Sequence, residues 1–151
     1  MKKMNVLRRG LIGFSVISAL VLSSCKKEYG EFNNMQVVEN TFTGDVEITS
    51  GGQDPAGDFT GNNESGTYSF AWVNPENSAD VNFDVTTSGG GTVQMVINDA
   101  KGDEVLNKTR PEGDNDTFSG VSSKGRKGTW LITLIFSDLN GDGSFSISPG
   151  N

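Results

Sequence analysis

The chain has 151 residues, a formal net charge of −7, no histidine and one cysteine. Without histidine there is no Ser-His-Asp triad, no zincin motif and no imidazole acid–base chemistry. One cysteine excludes an internal disulfide, and the acidic balance opposes nucleic-acid binding, which rests on basic charge against phosphate.

Lys2, Lys3, Arg8 and Arg9 form a basic start, and Leu11 to Leu22 is an uncharged, largely apolar run. Twelve residues fall short of the roughly 20 needed to span a bilayer core, so the layout predicts a secretory signal over 1–24. The run ends in Leu22-Ser23-Ser24-Cys25, which resembles the lipobox of bacterial lipoproteins. That resemblance implies a diacylglycerol on the Cys25 thiol, cleavage before Cys25 and acylation of the new amino terminus. Two or more acyl chains anchor stably, so membrane attachment without crossing is expected. Cleavage there would leave 127 residues, with all 19 acidic and eight of the 12 basic ones, a formal charge of −11.

Residues 25–34 read as the lipidated cysteine and a polar tether, and 35–151 as one domain. Lys26-Lys27-Glu28 resembles the charged signal that follows the cysteine in Bacteroidota-type lipoproteins. It implies an outer-membrane location, with the cell surface favoured over the periplasmic face.

From about residue 35 the pattern is β. Tyr68, Phe70 and Trp72 alternate with polar or small residues, as do Val81, Phe83 and Val85, then Val93, Met95 and Ile97. Period two with aromatic and β-branched residues predicts strands with one buried face. Trp130, Ile132, Leu134 and Phe136 alternate with Leu131, Thr133 and Ile135, so this strand is apolar on both faces and is placed centrally. Weaker strands are expected at 35–39, 46–49, 104–108, 117–121 and 144–148. The segments 50–66, 74–80, 88–91, 99–103, 110–116 and 122–128 are rich in Gly, Asn, Asp and Ser and read as loops or turns. Eight or nine short strands without a helical period predict a single all-β domain, an antiparallel β-sandwich or jelly roll, with barrel closure as the alternative.

The stretches "GTYSF", "VNFDVTT", "VINDAKGDEVL", "GTWLITLIF" and "GSFSIS", between residues 66 and 149, resemble the pre-peptidase C-terminal type of bacterial β-sandwich. Members of that family are accessory modules of secreted proteins without catalysis of their own, so the resemblance implies a non-catalytic module.

Few residues suggest chemistry. Asp99, Asp103, Glu104, Asp114 and Asp116 could in principle supply the paired carboxylates of a glycosidase, but turn acids are the simpler reading. Trp72 and Trp130 could stack on sugars, yet both are in phase with core positions. Phe59, inside the polar segment 50–66, is the candidate exposed ligand contact. Asn82, Asp84, Thr86 and Gln94 are expected to offer hydrogen bonds from a polar sheet face. Asp138-x-Asn140-x-Asp142-Gly143-Ser144 matches the front of a calcium loop, with Asp138, Asn140, Asp142 and Ser144 as metal ligands. Position 12 of that loop would be Pro149, which has no carboxylate, and Asn140-Gly141 and Asp142-Gly143 are strong hairpin dipeptides. The segment therefore reads first as a hairpin and second as a weak Ca2+ site.

The sequence thus predicts no enzyme. It predicts an exported, lipid-anchored binding or interaction module for a glycan or an envelope protein. A small carbohydrate-active accessory enzyme and a structural lipoprotein of an envelope complex are the alternatives.

Overall fold

A computed structural model describes residues 35–111 and 116–151. The signal segment 1–24, the Cys25 lipidation site, the tether 25–34 and the acid Asp114 lie outside the described residues. The described chain forms seven strands: β1 (Met35–Asn40), β2 (Asp45–Ser50), β3 (Ala56–Asn74), β4 (Ala79–Asn98), β5 (Glu104–Arg110), β6 (Thr117–Val121) and β7 (Gly128–Pro149). All pairings are antiparallel, in the order β1-β3-β7-β4-β5, with β2 on β3 and β6 on β4.

The expected eight or nine strands become seven because three of them are long and bent. The register shifts at Asn62–Gly66 in β3 and at Thr87–Thr92 in β4. Asn140 of β7 pairs with Asn62 on one side and Gly90 on the other, so the bends lie side by side. One sheet is thereby folded along a line into two layers. The first holds β2, β3 up to Asn62, β7 from Leu139, β4 up to Thr87, and β6. The second holds β1, β3 from Gly66, β7 up to Ser137, β4 from Thr92, and β5. Strands that pass from layer to layer through bulges are a recognised way to make sandwich corners.

This corrects three expectations. Segment 88–91 is a bend within β4, most of segment 50–66 is strand β3, and 138–144 lies inside β7 and is no hairpin. Glycine, asparagine and aspartate suit a sheet corner for the same reason that they suit a turn, their tolerance of positive φ. Asn63 and Asp138 do have positive φ, 64° and 48°. The Asp138 amide donates to Ser65 Oγ at 2.8 Å, and that hydroxyl donates back to Asp138 Oδ1 at 3.1 Å, tying the β3 bend to the β7 bend. Ser88 Oγ donates to the Asn140 carbonyl at 3.3 Å and ties in the β4 bend.

The alternating residues of both layers meet in one core. Phe59 of the first layer meets Phe136 of the second edge-on at 5.3 Å, and Phe70 stacks with Phe145 at 5.7 Å. Trp72 and Trp130, opposite each other on β3 and β7, pack at 6.1 Å and are wholly buried. Their indole N–H groups donate to the carbonyls of Gln53 and Arg126, so burial leaves neither donor unmet. β7 is central, as its two apolar faces predict: β3 and β4 flank it along most of its length.

Candidate functional site

The register sorts the polar residues into distinct surfaces. Across the outer face of the first layer run Asp45–Thr60–Asp142–Thr86 and, in the next row, Glu47–Asp58–Ser144–Asp84–Thr117. Asp80 and Asn82 continue this face, where Ser119 Oγ donates to Asn82 Oδ1 at 2.7 Å. It is acidic and hydroxylated and carries no lysine or arginine.

The outer face of the second layer differs. Thr67–Ile135–Gln94–Thr109 and Ser69–Thr133–Val96–Asn107 cross it in adjacent rows, with Ala71, Leu131 and Asn98 in the next. These residues are uncharged. Gln94 therefore does not share a face with Asn82, Asp84 and Thr86; the fold puts it on the opposite side of the molecule.

The basic residues lie on neither face. Every lysine and arginine after Lys27 falls between Lys101 and Lys127. Lys108 and Arg110 occupy alternate positions of β5 opposite Met95 and Val93, whose side chains are in the core. Both cations therefore point between the layers. Phe118 does the same from β6, opposite the buried Phe83. β5 and β6 are edge strands, both hung on β4 but in different layers. The side of the sandwich between them stays open as a cleft of about 440 Å³.

Glu104, Asn107, Lys108, Phe118, Gly120 and Ser123 are among its lining residues. Lys108 Nζ lies 5.2 Å and Arg110 Cζ 5.6 Å from the Phe118 ring centre, within cation–π range. Inward charges on an edge strand also discourage edge-to-edge pairing, which is sufficient structural reason for one of them. Phe118 is only half-buried; every other aromatic side chain among the described residues is buried. The alternation in β6 is short and broken by Gly120, which is why Phe118 does not stand out from the pattern. The inward phase of Lys108 and Arg110 with Leu106 was visible in "LNKTR", but only the register shows what they face.

The residues expected to bind lie elsewhere. Phe59 is 1% exposed and packs against Phe83 and Phe136, so it is no exposed contact. The reason is that its segment pairs with β2 and β7 and turns its side chain into the core. Asp138, Asn140, Asp142 and Ser144 do not form a loop. Asn140, Asp142 and Ser144 alternate along an extended strand and span about 13 Å, whereas calcium ligands sit about 2.3–2.6 Å from one ion. Asp138 and Asn140 are also engaged at the bends. Among the described residues no three Asp, Glu, His or Cys side chains converge as a metal site.

Of the acids weighed for catalysis, Asp99 organises the β4–β5 turn. Its Oδ2 accepts from the Arg126 amide at 2.6 Å, and its Oδ1 from the amides of Lys101 and Asp103 at 2.8 and 3.0 Å. The Arg126 amide foremost holds this carboxyl below the ordinary carboxylate value, against the opposing effect of burial. An acid fixed in its charged form by backbone donors is not a proton donor near neutral pH.

Fold and cleft together define an antiparallel β-sandwich with an open side lined by Phe118, Lys108 and Glu104. No protein-family model and no curated sequence matches the chain. Among solved structures it is similar to a family 61 carbohydrate-binding module in complex with β-1,4-galactotriose, at 19% identity and a TM-score of 0.42, covering 80% of this chain and 92% of that one. A carbohydrate-binding module of the β-sandwich superfamily gives 14% identity and a TM-score of 0.41, over 80% of this chain and 57% of that one. An arabinose-bound α-L-arabinofuranosidase gives 11% and 0.40, over 77% of this chain, which spans only 23% of that enzyme's length.

Proposed function

We propose that the protein is a non-catalytic glycan-binding module, exported and held at the outer membrane by acyl chains on Cys25, with its domain at the cell surface. The observation that carries the binding reading is the β5–β6 cleft. It combines the one half-buried aromatic among the described residues with the Lys108 ammonium over its ring and with Ser123 on its lining. Aromatic faces with a few placed polar groups are what sugar rings require, and a volume of this order is that of a small-ligand site. Asn107 turns its amide to the outer face of the second layer, donating to Glu104 Oε2 at 3.1 Å and accepting from Gln94 Nε2 at 2.8 Å, which leaves Phe118 and Lys108 as the inward-facing groups.

The non-catalytic reading is supported by Asp99, buried and locked as a turn acid by backbone donors. The anchoring reading is supported by the lipobox-like Leu22-Ser23-Ser24-Cys25. The test of binding is a glycan array probed with the full chain, purified in detergent, beside Phe118→Ala. The proposal expects retained signals to be confined to the unaltered chain, with both proteins melting cooperatively. Undiminished binding by Phe118→Ala would overturn the site, and an array without any signal would overturn the function. For the anchor, Cys25→Ser is expected to move the protein from the membrane to the soluble fraction, and external protease on intact cells to remove the domain. Unchanged fractionation would refute lipidation.

A further inference from the structure

The cleft also carries information about the charge of its ligand. Resting on the glycan-binding reading, we infer that it takes an acidic sugar, a uronate-bearing oligosaccharide, whose ring lies against Phe118 and whose carboxylate pairs with Lys108.

Positive charge is confined to a short part of the domain. The chain after Ser24 carries 19 acidic residues and eight basic ones, and six of the eight lie between Lys101 and Lys127. The acidic outer face of the first layer repels an anionic ligand, and the outer face of the second offers it no cation. Lys108 lines the cleft and, with the buried Arg110, points inward over the Phe118 ring. Low-dielectric walls with cations focus the field on a cleft and raise the local concentration of anions.

Lys108 is the residue free to pair. Its Nζ forms no ion pair among the described residues, where Lys127–Glu76 is the one such pair. Glu104, the acid on the cleft wall, is held by the Asn107 amide. An ammonium over a ring, paired with no carboxylate among the described residues, is a point charge suited to an incoming carboxylate.

An extended acidic peptide is the less fitting anion, because strand addition needs an open backbone edge. The Ser123 amide already donates to the Val105 carbonyl at 2.8 Å and closes the start of β5. What the cleft offers is side chains: an aromatic ring, a hydroxyl and the ammonium.

The experiment is calorimetric titration of the full chain in detergent with trimers of galacturonate, mannuronate and guluronate. Each is run beside its neutral methyl ester, at 20 and 500 mM NaCl, with poly-glutamate as a non-sugar anion. The inference expects at least one uronate trimer to bind tenfold or more tightly than its ester, and to weaken at the higher salt as the Debye length falls from about 20 Å to about 4 Å. Lys108→Gln is expected to abolish that preference and Lys108→Arg to keep it. Equal binding of acid and ester, or a preference untouched by Lys108→Gln, overturns the acidic-sugar inference and leaves the glycan reading standing. Poly-glutamate competing as well as the trimers also overturns it, in favour of a generic anion. Failure of every sugar, charged or neutral, is the separate failure of the glycan-binding reading.

Discussion

The folded sheet makes a sharp prediction about two adjacent glycines. Gly90 and Gly91 both lie at the β4 bend, with φ of 111° and 92°. A Cβ at Gly90 meets nothing within 4 Å. A Cβ at Gly91 would lie 2.2 Å from the Asp138 carbonyl oxygen and 2.7 Å from Leu139 Cα, in the neighbouring β7 bend. The obstacle there is backbone on a central strand and cannot rotate away. Gly90→Ala therefore carries only the strain of positive φ, about 1–2 kcal/mol. Gly91→Ala adds the displacement of packed structure, typically about 1–3 kcal/mol, for a total of about 2–5 kcal/mol. Urea denaturation of both variants at matched conditions measures the difference through the midpoint at constant slope. Equal destabilisation by the two substitutions would refute the claim that the β4 and β7 bends abut along one fold line.

Phe59→Ala should destabilise the domain by about 3–5 kcal/mol, as loss of a fully buried ring does; a loss of binding with unchanged melting would instead return Phe59 to the surface. Asp99→Asn should lower the melting temperature at pH 7, because the Arg126 amide loses its charged acceptor. The folded pKa of Asp99 is depressed, so its contribution is complete above the ordinary value of 3.8 and fades as pH falls through the lower folded value. The gap between the two proteins should therefore narrow below about pH 4, and a gap constant from pH 7 to pH 3 would contradict this. Millimolar calcium should leave the melting temperature unchanged, since the Asp138–Ser144 positions are spread along β7; a rise reversed by chelator and lost in Asp142→Asn would show a metal site there.

The central β7 strand, the aromatic core and the sandwich class were legible from period-two alternation, because that pattern records burial directly. Tyr68, Phe70, Trp72, Met95 and Trp130 are all buried where it put them. The strand count was not legible. "SGGG" at 88–91 and "SDLNGDGS" at 137–144 have the composition of turns, and a bend in a sheet demands the same backbone freedom. What separates the two is whether the chain beyond continues on the same neighbours, a long-range fact that local composition lacks. Phe59 was misplaced for the same reason: its polar neighbours Asp58 and Thr60 are the outward positions of a strand, not a loop around it. The cleft was hidden most deeply, since Lys108 and Phe118 come from strands that never pair with each other and meet only because both hang on β4.

The most direct test of the account is to map a bound uronate trimer by amide chemical-shift changes in the isotope-labelled full chain in detergent micelles. The account predicts that the largest changes fall on Asn107, Lys108, Phe118 and Gly120, on the facing edges of β5 and β6. Changes centred on the outer rows of either layer, around Asp58 and Asp84 or around Thr133 and Gln94, with the cleft amides unmoved, would contradict it.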